Sequence, residues 1–197
     1  GADAIYLLQD LDGDGNAHGA GESKIFFDGD PLNNAAGIAM PTPNAVHLDG
    51  TGTVWVANAS TNSVPGDLIL KLQDLNGDDD ANDAGEAMIY YDSIPGGANG
   101  DSICQDVFVG DDGRVYYLEM GSSGVIAKGI YALDDLDNSG VIDSPAEVTA
   151  FFIPAAQPSN PFWWTISQDD GGYWYMADTF NDLIWRAKDT NASGAID

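Results

Sequence analysis

The chain has 197 residues, with 6 Lys+Arg against 32 Asp+Glu and a formal net charge of −26. That charge disfavours nucleic acid and anionic membrane surfaces, because phosphate contacts need cations on the protein, and it favours metal cations or basic partners. With 44% hydrophobic and 10% aromatic residues the chain has the apolar mass to fold, and no apolar run approaches the ~18 residues of a membrane span.

In chain order, the run Ile5-Tyr6-Leu7-Leu8 predicts a first strand, with no signal peptide ahead of it, as in a mature, trimmed chain. It leads through Asp10-x-Asp12-x-Asp14-Gly15 and Glu22 to a second strand at Ile25-Phe26-Phe27. A hairpin follows, in which Ala45-Val46-His47-Leu48 turns at Asp49-Gly50-Thr51-Gly52 into Val54-Trp55-Val56-Ala57-Asn58. The acidic unit then returns, from Leu68-Ile69-Leu70 through Asp74-x-Asn76-x-Asp78 and Glu86 to Met88-Ile89-Tyr90-Tyr91. The second hairpin joins Asp106-Val107-Phe108-Val109 to Val115-Tyr116-Tyr117-Leu118-Glu119 at Asp112-Gly113. A third acidic unit runs from Ile130-Tyr131-Ala132-Leu133 through Asp135-x-Asp137-x-Ser139-Gly140 and Glu147 to Ala150-Phe151-Phe152-Ile153. The last hairpin, Trp163-Trp164-Thr165-Ile166 to Trp174-Tyr175-Met176-Ala177-Asp178, turns at Asp170-Gly171-Gly172. Leu183-Ile184-Trp185 and Asp189-x-Asn191-x-Ser193-Gly194 begin a fourth acidic unit. Asp-Gly between β-branched and aromatic runs is a hairpin signal, since glycine takes the positive φ of the tight turn.

The acidic loops start 64, 61 and 54 residues apart, and Trp55, Tyr116 and Tyr175 align at spacings of 61 and 59. A hairpin plus a loop-joined strand pair makes four antiparallel strands per repeat. The predicted fold is therefore all-β, a β-propeller of four-stranded blades. Labelled A to D within a blade, the strands read C-D, A-B-C-D, A-B-C-D, A-B-C: about three and a quarter blades, in one segment over 1–197 with blade parts 1–30, 44–92, 105–153 and 162–197. A ring would be completed by a longer natural polypeptide, by another chain or by a second copy.

The run Trp174-Tyr175-Met176-Ala177-Asp178-Thr179-Phe180-Asn181-Asp182-Leu183-Ile184 resembles the second strand, turn and third strand of NHL-repeat and SMP-30/gluconolactonase-like propellers. Val56-Ala57-Asn58 with Asn62 follows the same pattern loosely, and Asp182-Leu183 replaces the basic residue usual before Ile184. The acidic loop is similar to the EF-hand-type calcium loops of dockerins and of some bacterial propellers. Within such propellers the C–D connections lie on the face opposite the ligand-binding channel, so the resemblance implies ions that stabilise rather than catalyse. It also implies channel residues at the starts of the A strands: Asn44 and His47, Asp101 and Asp106, Asn160 and Trp163. SMP-30-like hydrolases hold one metal there with Glu, Asn and Asp; Asn44, Asp106 and Asn160 imitate that set loosely, without the glutamate or a catalytic base.

Calcium takes six to eight oxygens at about 2.4 Å, which needs a tightly wrapped chain with carboxylates at alternate positions. Positions 1, 3 and 5 hold Asp10, Asp12 and Asp14; Asp74, Asn76 and Asp78; Asp135, Asp137 and Ser139; Asp189, Asn191 and Ser193. Position 7 supplies a backbone carbonyl, from Asn16, Asp80, Val141 and Ala195, and position 9 is His18, Asn82, Asp143 or Asp197. The closing carboxylate stands at position 13, as Glu22, Glu86 and Glu147, and three of the four loops carry glycine at position 6, the second having Asp79. These loops predict three to four Ca²⁺ ions whose binding is coupled to folding, and an extracellular or periplasmic location where calcium is abundant.

Cys104, the one cysteine, reads as a core residue. Phe162-Trp163-Trp164 reads as blade core rather than a carbohydrate platform. No catalytic triad, phosphate loop or zinc motif appears. The expected role is a calcium-stabilised binding, scaffold or complex-subunit module, with an unknown ligand or protein on the face opposite the loops. The alternative is a propeller hydrolase, lactonase or sugar dehydrogenase whose site is completed by further blades.

Overall fold

The computed structural model describes residues 3–59, 67–93, 103–121, 127–154 and 161–196. Among the described residues thirteen strands run in chain order: β1 (Ala4–Leu8), β2 (Ser23–Asp28), β3 (Pro43–Leu48), β4 (Val54–Asn58), β5 (Leu68–Leu72), β6 (Ala87–Asp92), β7 (Cys104–Val109), β8 (Val115–Glu119), β9 (Gly129–Leu133), β10 (Val148–Phe152), β11 (Trp163–Gln168), β12 (Trp174–Asp178) and β13 (Leu183–Ala187). They form antiparallel sheets of two, four, four and three strands, β1-β2, β3-β4-β5-β6, β7-β8-β9-β10 and β11-β12-β13. Every pairing joins strands adjacent in sequence, so the predicted strand count and within-sheet order hold. The one helical element is a 3₁₀ turn at Pro145–Glu147 among the described residues.

The central strands are buried on both faces, and their period of two divides three cores. From the second sheet, Val56, Leu68 and Leu70 pack with Phe26, Phe27, Ile38 and Met40. The alternate residues Trp55, Ala57 and Ile69 pack with Cys104, Val107, Tyr117 and Tyr131. The opposite face of the third sheet sends Tyr116, Leu118 and Ile130 against Trp163, Ile166, Trp174 and Met176. The first strands of neighbouring sheets also meet, β3 against β7 and β7 against β11.

Each hairpin carries a lock. The turn aspartate accepts a hydrogen bond from the second residue of the following strand, Trp55 Nε1 to Asp49 at 2.9 Å, Tyr116 Oη to Asp112 at 2.8 Å and Tyr175 Oη to Asp169 at 2.9 Å. Gly52, Gly113 and Gly172 take positive φ in these turns, as a right-twisted tight hairpin demands.

Candidate metal centres

The acidic loops join β1 to β2, β5 to β6 and β9 to β10, and a fourth follows β13. Their wrapping follows from side chains that accept main-chain N–H groups. Asp10 receives Gly13 N at 2.7 Å and Gly15 N at 2.9 Å; Asp74 receives Gly77 N and Asp79 N; Asp135 receives Ser139 N and Gly140 N; Asp189 receives Ser193 N and Gly194 N. To turn this tightly the chain enters the left-handed region twice. Position 6 has φ of 86°, 70°, 90° and 84° at Gly15, Asp79, Gly140 and Gly194, and position 4 has 77°, 82°, 59° and 57° at Gly13, Gly77, Asn138 and Ala192.

Each closing glutamate is buried, Glu22 and Glu147 at 2% exposure and Glu86 at 3%. Its Oε1 accepts the N–H of position 2, from Leu11, Leu75 and Leu136 at 2.9, 3.0 and 2.9 Å, while those leucine side chains stay exposed. Its carbonyl accepts Gln9, Gln73 and Asp134 N–H at 2.8 Å, so the glutamate opens the outer strand. Closure at position 13 is reached through Gly21 and Gly85 at positive φ, and in the third loop through the 3₁₀ turn, where Ser144 and Glu147 form a capping box.

Three carboxylate triads result, Asp10-Asp12-Glu22, Asp78-Asp80-Glu86 and Asp135-Asp137-Glu147, each with oxygens within 4.8 Å of one another. The first and third use positions 1, 3 and 13. The second uses 5, 7 and 13; its position 3 is Asn76, which carries no carboxylate and whose amide donates to Asp78 at 3.2 Å and to Asp83 at 2.8 Å. Of the remaining predicted ligands, Asp14 and Asn16 accept the N–H groups of Asn16 and His18, and Asp74 turns to its own loop amides. Ser139 donates to the Val141 carbonyl at 3.0 Å and Ser193 to that of Ala195 at 3.1 Å, which draws positions 5 and 7 together. Asn191 accepts the Ser193 N–H, and Asp197 lies outside the described residues.

The amide donors also hold charge on these groups. The Gly19 and Leu11 N–H groups lower the pKa of Glu22, and the Gly77 N–H lowers that of Asp74. Ser139, through its side chain and its N–H, lowers that of Asp137. For Glu147 and Asp189 burial pushes upward, but the converging N–H groups outweigh it and the net shift is down. Ionised oxygens with no nitrogen or sulfur among them are donors for a hard divalent cation. The triads can hold a metal ion.

A backbone contact links the second, third and fourth loops each to the preceding sheet. Position 8 donates its N–H to the outer strand: Ala81 to Phe26 O at 2.7 Å, Ile142 to Tyr90 O at 2.7 Å and Ile196 to Phe151 O at 2.8 Å. In the second loop, Lys24 of β2 pairs with Asp79, and Asn82 at position 9 accepts Asp28 N at 2.9 Å. That pairing gives a reason for aspartate, rather than glycine, at position 6.

The channel candidates are tied between sheets. Asp106 accepts Thr165 Oγ1 and Ile166 N, both at 2.7 Å, and burial raises its pKa. Asn44 donates to Cys104 O at 3.4 Å, and His47, half-buried, packs on Phe108 at 4.8 Å. Asp101 and Asn160 lie outside the described residues. Trp163 is buried, as is Cys104, whereas Trp164 is half-exposed against Phe162.

A further repeated position went unread in the sequence. Asn58, Glu119 and Asp178, the last residues of β4, β8 and β12, are buried and accept the N–H groups of Thr42, Ile103 and Phe162, at or just before the start of the neighbouring strand. Their spacings of 61 and 59 match those of the aromatic residues, which is the signal that would have found them. No protein-family model matches the chain, and comparison with curated proteins found no significant match.

Proposed function

We propose that the chain is a calcium-binding, calcium-stabilised β-repeat module, its sheets the blades of a β-propeller of the NHL or SMP-30-like kind. The observation that carries the reading is the recurrence of a buried glutamate closing an all-oxygen acidic loop between the outer strands of three successive sheets. Calcium is the preferred ion because the loops offer many flexible oxygens, whereas magnesium requires a small rigid octahedron. Contact between the first strands of neighbouring sheets, β3 with β7 and β7 with β11, supports a radial arrangement. When bound, the ions supply positive charge among carboxylates that otherwise repel, so each one holds a third strand to a fourth. Such loops fill constitutively at the calcium concentrations found outside the cytoplasm, which favours an extracellular or periplasmic binding, scaffold or complex-subunit role. With a net charge of −26 the partner surface is basic or metal-bridged and is not nucleic acid.

The test is calorimetric titration of the metal-stripped chain with calcium, followed by thermal melting with and without chelator. Binding of three to four ions and a higher melting temperature are expected. No uptake of calcium, or an unchanged melting temperature, would overturn the reading.

A further inference from the structure

We infer that the metal loops are positively coupled along the chain, so that filling one raises the affinity of the next. This rests on the metal binding proposed above and adds how the sites regulate one another. The observation lies outside the acidic clusters. Phe26, Tyr90 and Phe151, which accept the position-8 amides of the following loops, each stand four residues after a closing glutamate, Glu22, Glu86 and Glu147. One outer strand is therefore pinned at its start by its own loop and, about 13 Å further on, by the next loop. Position 8 in turn sits between positions 7 and 9, two of the ligand-bearing positions.

An unfilled loop leaves its carboxylates in mutual repulsion, and its glutamate and outer strand are less firmly held. The strand then offers a poorly fixed carbonyl to the following loop, which must order itself at the expense of its own ion affinity. Filling the first loop fixes the strand beforehand. By reciprocity the second loop favours the first to the same degree.

The links are unequal. Between the first and second loops the Ala81 bond is joined by the Lys24–Asp79 pair, by Asp28 N to Asn82 and by Ala35 N to Asn82 O at 2.7 Å. Between the second and third, Ile142 is joined by a parallel bridge to Tyr91. Between the third and fourth, the Ile196 bond to Phe151 O forms the link. Coupling is strongest from the first loop to the second and does not pass unweakened to the third.

The experiment is a residue-resolved NMR calcium titration of the full chain and of Glu22→Gln, with amide exchange measured at Ala81, Ile142 and Ile196. In the variant, affinity at the second loop falls about fivefold or more, Ala81 exchanges faster, and the third and fourth loops change less. Second-loop affinity within twofold of the unmutated chain, with Ala81 still protected, overturns the coupling while leaving calcium binding intact. Absence of calcium-dependent shifts in every loop overturns both. Should Glu22→Gln fail to fold, the unmutated chain still decides: calcium must raise protection at Ala81 and Ile142, and equal protection with and without calcium overturns the coupling.

Discussion

Replacing Asp106 with alanine separates a tie between sheets from a metal ligand. Its carboxylate accepts one hydroxyl and one main-chain N–H from β11, both at 2.7 Å. Hydrogen bonds to a charged group contribute about 1.5–3 kcal/mol each, a gross loss of about 3–6 kcal/mol on truncation. Part is recovered, because the burial that raises the Asp106 pKa shows its charge to be costly where it stands. A net loss of about 3 kcal/mol follows, with Ile166 N left unsatisfied. Asp106→Asn keeps an acceptor for β11 but sets its amide against Val107 N, which now donates to the carboxylate at 2.9 Å, for a loss of about 1 kcal/mol. Urea denaturation gives both values, and melting should fall by about 6–12 °C for alanine at about 2–4 °C per kcal/mol in a chain of this size. The measurement is made with calcium and again with chelator. A tie costs the same in both conditions. A loss under about 0.5 kcal/mol, or one that vanishes with chelator, refutes the assignment.

Other outcomes follow from the same geometry. Glu22 and Glu147 have depressed pKa values in the fold, so what their ionised forms contribute is complete above the ordinary glutamate value of about 4.3 and is lost as pH falls through the lower folded value. In metal-free protein, the stability difference between the unmutated chain and Glu147→Gln should therefore shrink on acidification below that range; a difference that grows contradicts the sign. Ala192 stands at φ 57°, so Ala192→Gly should stabilise by about 0.5–1 kcal/mol and Ala192→Val should destabilise, both read by thermal melting. Tyr175→Phe removes the turn lock to Asp169 and should lower the urea midpoint, with the fold unchanged by circular dichroism.

Strand identity was legible because turn glycines and aspartates punctuate runs of alternating apolar residues, and every predicted pairing is between sequence neighbours. The loops were legible for a different reason: main-chain wrapping requires carboxylates at fixed intervals, so Asp10, Asp74, Asp135 and Asp189 all perform the same task. The second triad, Asp78, Asp80 and Glu86, lay within the predicted ligand set, but the turn of the Asn76 amide toward Asp78 and Asp83 was not legible, being a choice made by local packing. The left-handed position 4 was hidden because Asn138 and Ala192 stand there in place of glycine, the alanine at a cost in strain. The docking of loop onto sheet was harder to read, because its hydrogen bonds are made by backbone atoms of Ala81, Ile142 and Ile196; the trace it leaves is only an apolar residue at position 8 and an aromatic one, Phe26, Tyr90 or Phe151, on the receiving strand. For Asp106 the sequence favoured a hydrogen-bonded structural role over a channel ligand, but could not name its partners, because a carboxylate in a strand has the same sequence signature whether it holds an ion or a neighbouring strand.

That a backbone hydrogen bond makes the docking contact, with only apolar character asked of the side chains, bears on how such a chain can grow. A donor at position 8 and an acceptor four residues past the glutamate are present in any unit with this backbone that keeps an apolar residue at the one and an aromatic residue at the other. A duplicated unit would inherit a working junction at birth, and a deleted one would leave its neighbours still compatible. Repeat number is thus free to change by recombination without a new interface being invented at each step, while the faces between sheets diverge in their packing residues.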